Sequence, residues 1–219
     1  DNLASMHPTI AILDYGVSNV HSAAKAFAHC GADAHITEDP EEASLADALV
    51  LPGVGTFEAG MDGLRARALV ETVREAADSG KPILGICLGA QLLLSRGFEF
   101  GEHQGLDTIK GDVVPFPQLE DGAKLPHIGW SALNEPTREA WNGSVLEGLK
   151  NPLVYFVHSY VIQPADPSLA LATTTFGGHT FASVIRRGRI YGLQFHPEKS
   201  GEVGLAIIRA FLARVPPSR

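Results

Sequence analysis

Cysteine is scarce in this chain. Of 219 residues only Cys30 and Cys87 carry a thiol, too few for a disulfide framework, so a reducing, cytoplasmic location is the expectation. Positive charge is also short. Lys and Arg number 17 against 25 Asp and Glu, a formal net charge of -8, which excludes the basic surface that nucleic-acid binders carry. No apolar run approaches the roughly 20 residues that cross a bilayer. The first residues, Asp1-Asn-Leu-Ala-Ser5, lack the charged-then-apolar pattern of a secretion signal. Met6 is the expected natural start, with residues 1–5 an added remnant. Internal repeats, low-complexity tracts and clean linkers are missing too. What remains is a chain with 45% hydrophobic residues, enough for one compact domain, expected over residues 6–216. Nine histidines are present, yet His21, His29, His35, His103 and His179 show no metal-ligand spacing. No metal and no cofactor are expected.

The first two-thirds alternates strand and helix. Ile10 to Leu13 is an apolar run and reads as a strand. Asn19 to His29 is alanine-rich and helical, closed by Gly31. A strand over Ala34 to Thr37, a short helix over Glu41 to Ala46 and a strand over Ala48 to Leu51 follow, the last ending at Pro52-Gly-Val-Gly55. Leu64 to Ser79 reads as one helix closed by Gly80, Ile83 to Ile86 as a buried strand, and Ala90 to Ser95 as helical. This alternation predicts an α/β fold of three layers, a mostly parallel central sheet with helices on both faces. Beyond Gly111 the pattern changes to strands separated by turns: Gly111 to Phe116, Leu153 to Val157, Val161 to Gln163, Leu169 to Thr175, Thr180 to Arg186 and Ile190 to Phe195. They are expected to form an antiparallel C-terminal extension of the sheet, before a closing helix over Gly204 to Val215.

Cys87 lies in Gly85-Ile-Cys-Leu-Gly89, between a strand and a helix. This is the nucleophile-elbow pattern with cysteine in place of serine. Glycines relieve crowding in so tight a turn, and a helix N-terminus favours a thiolate. A nucleophile needs a base. His196 follows directly on the Ile190 strand, where functional groups of open α/β sheets collect. Pro197 stops the strand, and Glu198 stands two positions on, placed to fix the imidazole tautomer. An oxyanion developing on a carbonyl substrate needs backbone donors. Leu88 N–H is one, and Pro52-Gly-Val-Gly55 can supply another. Alone, each piece has a structural reading: a tight turn with a buried thiol, a strand-ending turn, a surface turn. Together, all three fall at the carboxyl ends of strands of one parallel sheet. Cys30, before Gly31, is expected to be an inert thiol.

Gly85-Ile-Cys-Leu-Gly-Ala-Gln91, Pro52-Gly-Val-Gly55 and Gln194-Phe-His-Pro-Glu198 resemble the three signatures of class I, triad-type glutamine amidotransferases, over nearly the whole chain. Asp14-Tyr-Gly-Val-Ser-Asn19, Leu125-Pro-His-Ile-Gly-Trp130, Tyr155-Phe-Val-His-Ser-Tyr160 and His196-Pro-Glu-Lys-Ser200 are most similar to the glutaminase subunits of imidazole glycerol phosphate synthases. The resemblance implies a flavodoxin-like fold and a Cys87–His196–Glu198 triad that hydrolyses glutamine through a glutamyl thioester. It implies an oxyanion hole from Leu88, Val54 and Gly55, and a substrate pocket with Gln91, Glu99, His158, Ser159 and Tyr160. It places Asn19, Trp130, Tyr155 and Lys199 against a (β/α)8-barrel cyclase partner that receives the ammonia. Two departures stand out. Ala90 replaces the methionine usual after the elbow glycine, and Ser22 stands where a second interface asparagine is sometimes seen. Alternatives remain at this stage: a subunit serving anthranilate, guanylate or pyridoxal phosphate synthesis, a partner-independent cysteine hydrolase, or a noncatalytic binding module.

Overall fold

Strands rich in Ile, Leu and Val, buried on both faces, need helices on both sides, and the chain supplies them. A computed structural model describes residues 7–17, 19–120 and 122–216; Met6 and residues 1–5 lie outside them. In chain order the strands are β1 (Thr9–Leu13), β2 (Asp33–Thr37), β3 (Ala48–Leu51), β4 (Ile83–Ile86), β5 (Leu94–Gly97), β6 (His103–Gln104), β7 (Ile109–Pro115), β8 (His127–Ala132), β9 (Leu153–His158), β10 (Tyr160–Pro164), β11 (Ala170–Phe176), β12 (His179–Arg187) and β13 (Ile190–Leu193). The helices are α1 (Val20–His29), α2 (Pro40–Leu45), α3 (Phe57–Ala66), α4 (Leu69–Asp78), α5 (Leu88–Leu92) and α6 (Gly201–Leu212).

The main sheet runs β2-β1-β3-β4-β13-β12-β10-β7-β5-β6, with β11 paired to β12. Its first five strands are parallel. The extension beyond β13 is mostly antiparallel, as expected, apart from the parallel pair β5–β7. Alternate residues of each central strand feed two cores. Ile10, Ile12, Val50, Leu84 and Ile86 pack with Val20, Phe27, Ile207 and Phe211 of α1 and α6. Ala11, Leu13, Leu49, Leu51 and Ile83 pack with Ala43, Met61, Leu64, Val73 and Leu92 of α2 to α5.

Three expectations need correction. The single helix over 64–79 is two, α3 and α4, broken where Ala68 adopts a left-handed conformation (φ 55). Helix α3 also begins earlier, at Phe57, capped by Thr56 Oγ1, which accepts from Ala59 N–H. Its Gly60 and Gly63 argue against a helix in sequence. In the fold they are contact points: a Cβ on Gly63 would sit 1.9 Å from the Tyr15 carbonyl oxygen. The helix expected over 90–95 ends at Leu92, and Leu94 to Gly97 form β5 instead. A strand not foreseen, β8, pairs antiparallel with β9 as a separate two-stranded sheet.

Candidate active site

Three neighbouring parallel strands, β3, β4 and β13, end at the same edge of the sheet. The Pro52-Gly-Val-Gly55 loop, the Cys87 elbow and the His196 turn leave from those ends. Cys87 has φ 52 and ψ -108, a conformation that costs a non-glycine residue on the order of 1–3 kcal/mol. Both elbow glycines are required. A Cβ on Gly89 would meet the Leu51 carbonyl oxygen at 1.8 Å, and one on Gly85 would meet Ala90 N at 2.7 Å. The elbow is tied to β13 by Cys87 N–H donating to the Leu193 carbonyl at 2.7 Å.

His196 is fully buried, and its Nδ1 hydrogen-bonds Glu198 Oε1 at 2.6 Å. The Glu198 side chain is itself only 1% exposed. His196 Nε2 is buried without a hydrogen bond of good geometry; the Cys87 thiol is the group that acts on it. Burial opposes a charge on this imidazole. Cys87 and Glu198 outweigh it and hold the His196 pKa up at about 9. Three bonds set the His196 turn in place. His196 N–H donates to the Tyr155 carbonyl at 3.0 Å, and Ser200 Oγ donates to the His196 carbonyl at 2.6 Å while accepting from Tyr155 N–H at 3.0 Å. Nothing in the sequence distinguishes Ser200 as a brace.

A cavity of about 180 Å³ opens beside Cys87, lined by Val54, Gly55, Cys87, Leu88, Gln91, Glu99, Val157, His158, Ser159 and Tyr160. Val157 alone was not singled out in sequence. The volume is below the several hundred Å³ of drug-sized sites and suits a small molecule. Glu99 Oε2 accepts from Phe57 N–H at 3.0 Å, at the start of α3. Burial and the Glu99 charge both raise the Tyr160 pKa, which places the two side chains together. Gln91 is buried, and its Nε2 donates to Gln194 Oε1 at 3.1 Å. His158 contributes only a wall. Its Nδ1 donates to the Tyr160 carbonyl at 2.8 Å and its Nε2 meets His127 Nδ1 at 3.0 Å, inside an aromatic cluster with Phe116, Phe156 and Phe181. His127 had no role assigned in sequence. A larger cavity of about 420 Å³ between β10 and β12 includes no member of the triad.

Leu88 N–H, which the resemblance implies as an oxyanion donor, donates to the Gly53 carbonyl at 3.3 Å. Gly53 (φ 135) and Gly55 (φ 145) both lie in a region of backbone space that favours glycine. The Tyr15 hydroxyl, also buried, donates to the Pro52 carbonyl and pins the start of this loop. Leu88 N–H is thus satisfied within the chain by the glycine loop.

The four residues expected at the partner surface divide. Trp130 is 55% exposed, with its ring 6.0 Å from that of Tyr155 on the outer face of β8–β9. Lys199 is exposed on the His196 turn. Asn19 instead turns its amide inward: Nδ2 donates to Glu198 Oε1 at 2.6 Å. Its backbone is left-handed, φ 80, at the start of α1. Cys30 is half-buried, its thiol bonded to the Leu205 carbonyl at 3.7 Å and its pKa raised by burial.

Residues 11–215 match the family model for glutamine amidotransferase class-I. The subunit HisH 1 of imidazole glycerol phosphate synthase from Legionella pneumophila (strain Paris) is 49% identical over 209 residues, covering 93% of this chain and 98% of that protein. The HisH subunit from Acaryochloris marina is 43% identical over 210 residues, covering 95% of each. Among solved structures, a glutamine amidotransferase superposes with a TM-score of 0.70 at 19% identity, covering 93% of this chain and 98% of that one. PurLQS from Thermotoga maritima gives 0.71 at 19% identity, covering 96% and 100%. The chain belongs to the class-I glutamine amidotransferases, among the HisH subunits of imidazole glycerol phosphate synthase.

Proposed function

We propose that this chain hydrolyses glutamine to glutamate and ammonia with Cys87, His196 and Glu198, and passes the ammonia to a (β/α)8-barrel cyclase subunit. The cyclase joins it to a ribulosyl aminoimidazole carboxamide nucleotide, giving imidazole glycerol phosphate and an aminoimidazole carboxamide ribotide for histidine synthesis. The observation that carries this reading is the buried His196–Glu198 pair acting on Cys87 at the wall of a cavity sized for an amino acid. The thiolate attacks the carboxamide carbon, and the carbonyl π pair moves onto oxygen. Collapse of that intermediate breaks the C–N bond, and His196 Nε2–H protonates the departing nitrogen, leaving a thioester and ammonia. A pKa of about 9 keeps His196 charged for this step. Acylation then removes the sulfur's negative charge. His196, having given up its proton and lost that support, stays neutral and takes a proton from water, which attacks the thioester and expels the thiolate.

Turning the Gly53–Val54 peptide would release Leu88 N–H and present Val54 N–H to the oxyanion. We assign the low basal activity expected of the lone subunit to the Leu88–Gly53 bond, and its stimulation to that turn. Glu99, with one oxygen held by Phe57 N–H, offers the other to the substrate ammonium. The two free cysteines fit a reducing, cytoplasmic location; among the described residues no helix is long and apolar enough to cross a membrane. Cys87→Ser tests the assignment in the complex. Glutamine-dependent synthesis is expected to vanish while synthesis from added ammonia persists. Retained glutamine hydrolysis in that variant would refute it.

A further inference from the structure

Gln194 is fully buried in the turn after β13, two residues before His196. Its backbone N–H donates to the Ser183 carbonyl at 3.0 Å, so the fold is anchored without its side chain. Both ends of the side-chain amide are nevertheless engaged, and both inside the site. Nε2 donates to Cys87 Sγ at 3.8 Å, and Oε1 accepts from Gln91 Nε2 at 3.1 Å. A thiolate can only accept, so Gln194 must turn its NH2 group to sulfur and its oxygen to Gln91. Gln91 must answer with its own NH2, which leaves Gln91 Oε1 as an acceptor for the substrate. Burying an amide is costly unless it is bonded, and a leucine or methionine would fill the same space without that cost.

We propose that Gln194 is a catalytic residue, an amide donor to the Cys87 sulfur that stabilises the thiolate as nucleophile and again as leaving group. The proposal rests on Cys87 being the glutaminase nucleophile. When sulfur bonds to the acyl carbon its negative charge is gone and the Gln194 contact weakens. When the second tetrahedral intermediate collapses, the C–S electron pair returns to sulfur, and the donor is already in place to receive it. Gln91 fixes the direction of that donor and so acts as its positioning residue.

The titratable groups that share the site with the thiol are His196, with Glu198 behind it, Tyr15 from the loop after β1, and Glu99 and Tyr160 of the cavity wall. The test therefore holds these constant and changes only the amide. Cys87 alkylation by iodoacetamide is followed across pH in the full chain, with peptide mapping to separate Cys87 from Cys30. In Gln194→Leu the pH of half-maximal rate is expected to rise by about one unit, the size of one hydrogen bond to an anion. In Gln194→Glu it should rise at least as far. Circular dichroism and the thermal midpoint establish folding. Profiles of the folded variants that superpose on the parent's overturn the proposal. Should Gln194→Leu not fold, Gln91→Met is read the same way, since it frees the Gln194 amide to turn: an upward shift supports the role and superposition overturns it. A Cys87 that is unlabelled in the parent at every pH would instead sink the nucleophile reading itself.

Discussion

One oxygen of Glu198 serves two donors, His196 Nδ1 and Asn19 Nδ2, each at 2.6 Å. Glu198 therefore cannot swing with His196 while Asn19 holds it. Asn19→Ala is expected to lower glutaminase kcat about tenfold, the order of one hydrogen bond to a charged group. KM should be unchanged, because Asn19 does not line the cavity; a rise in KM with kcat intact would contradict the positioning role. The His127–His158 pair makes a second prediction. Tyr160 carbonyl fixes His158 Nδ1 as a donor, so His158 Nε2 accepts from His127 Nδ1–H, and His127 Nε2 accepts from Ser131 Oγ at 2.9 Å. Only neutral rings satisfy this relay. Burial pushes His127 down to about 4, and burial together with the charges of His127 and His196 pushes His158 to about 3. Below the unfolded value near 6.5 the unfolded chain takes up protons that the folded chain refuses. Stability present above pH 6.5 is thus lost as pH falls toward 4, on the order of 4 kcal/mol for the pair at pH 5. His196 works the other way: its contribution is complete below about pH 6.5 and fades as pH rises through about 9. Urea unfolding at pH 7 and pH 5 should show the parent losing more stability than His127→Gln. Equal losses would exclude the relay as the source.

Elements were legible where local pattern and packing agree. The apolar runs of β1, β3 and β4 are buried on both faces, so composition alone marked them, and the elbow was legible because its glycines answer a local crowding. Helix α3 was half hidden because Gly60 and Gly63 serve contacts with Leu92 and Tyr15, distant in sequence. The inward turn of Asn19 depends on a left-handed backbone that an asparagine permits but does not dictate. The part Gln194 plays depends on where β4 and β13 lie side by side, a pairing between residues a hundred positions apart. The same long-range logic governs the glycine loop. Tyr15 holds the Pro52 carbonyl from the end of β1, and a Cβ on Gly53 would meet Val17 at 2.5 Å and the Tyr15 hydroxyl at 3.0 Å. Removing that hydroxyl should favour the turned loop by about one hydrogen bond, ~1 kcal/mol. Tyr15→Phe is therefore expected to raise glutaminase activity of the lone subunit about fivefold, with a smaller relative gain once the cyclase is bound. A lone-subunit rate that stays at the parent level or drops would show that Tyr15 does not restrain the loop.

At the scale of the whole molecule, the outer face of β8–β9 is the surface we propose for the partner. The register sets Ile128 opposite Val157, Trp130 opposite Tyr155 and Ala132 opposite Leu153, all on one face. Ile128 is 59% exposed and Leu153 52%, while Val154, Phe156 and His158 on the other face are buried. An apolar patch that concentrated marks a docking site, and aromatic side chains commonly anchor such sites. The strand beneath it is also part of the active site: the Val157 carbonyl lies 3.8 Å from Cys87 Sγ, and Tyr155 bonds His196 and Ser200 through its backbone. The same strand thus joins the outer face to both the nucleophile and the base. Docking and turnover can be separated by Trp130→Ala, which touches neither cavity nor triad. An anchor of about 2 kcal/mol predicts a cyclase Kd weakened by roughly thirtyfold. Basal glutaminase activity should match the parent, and stimulation should return when the cyclase is raised to saturation. If stimulation stays low at saturation, Trp130 transmits the signal as well as anchoring the partner; if Kd moves by less than twofold, the docking surface lies elsewhere on the molecule.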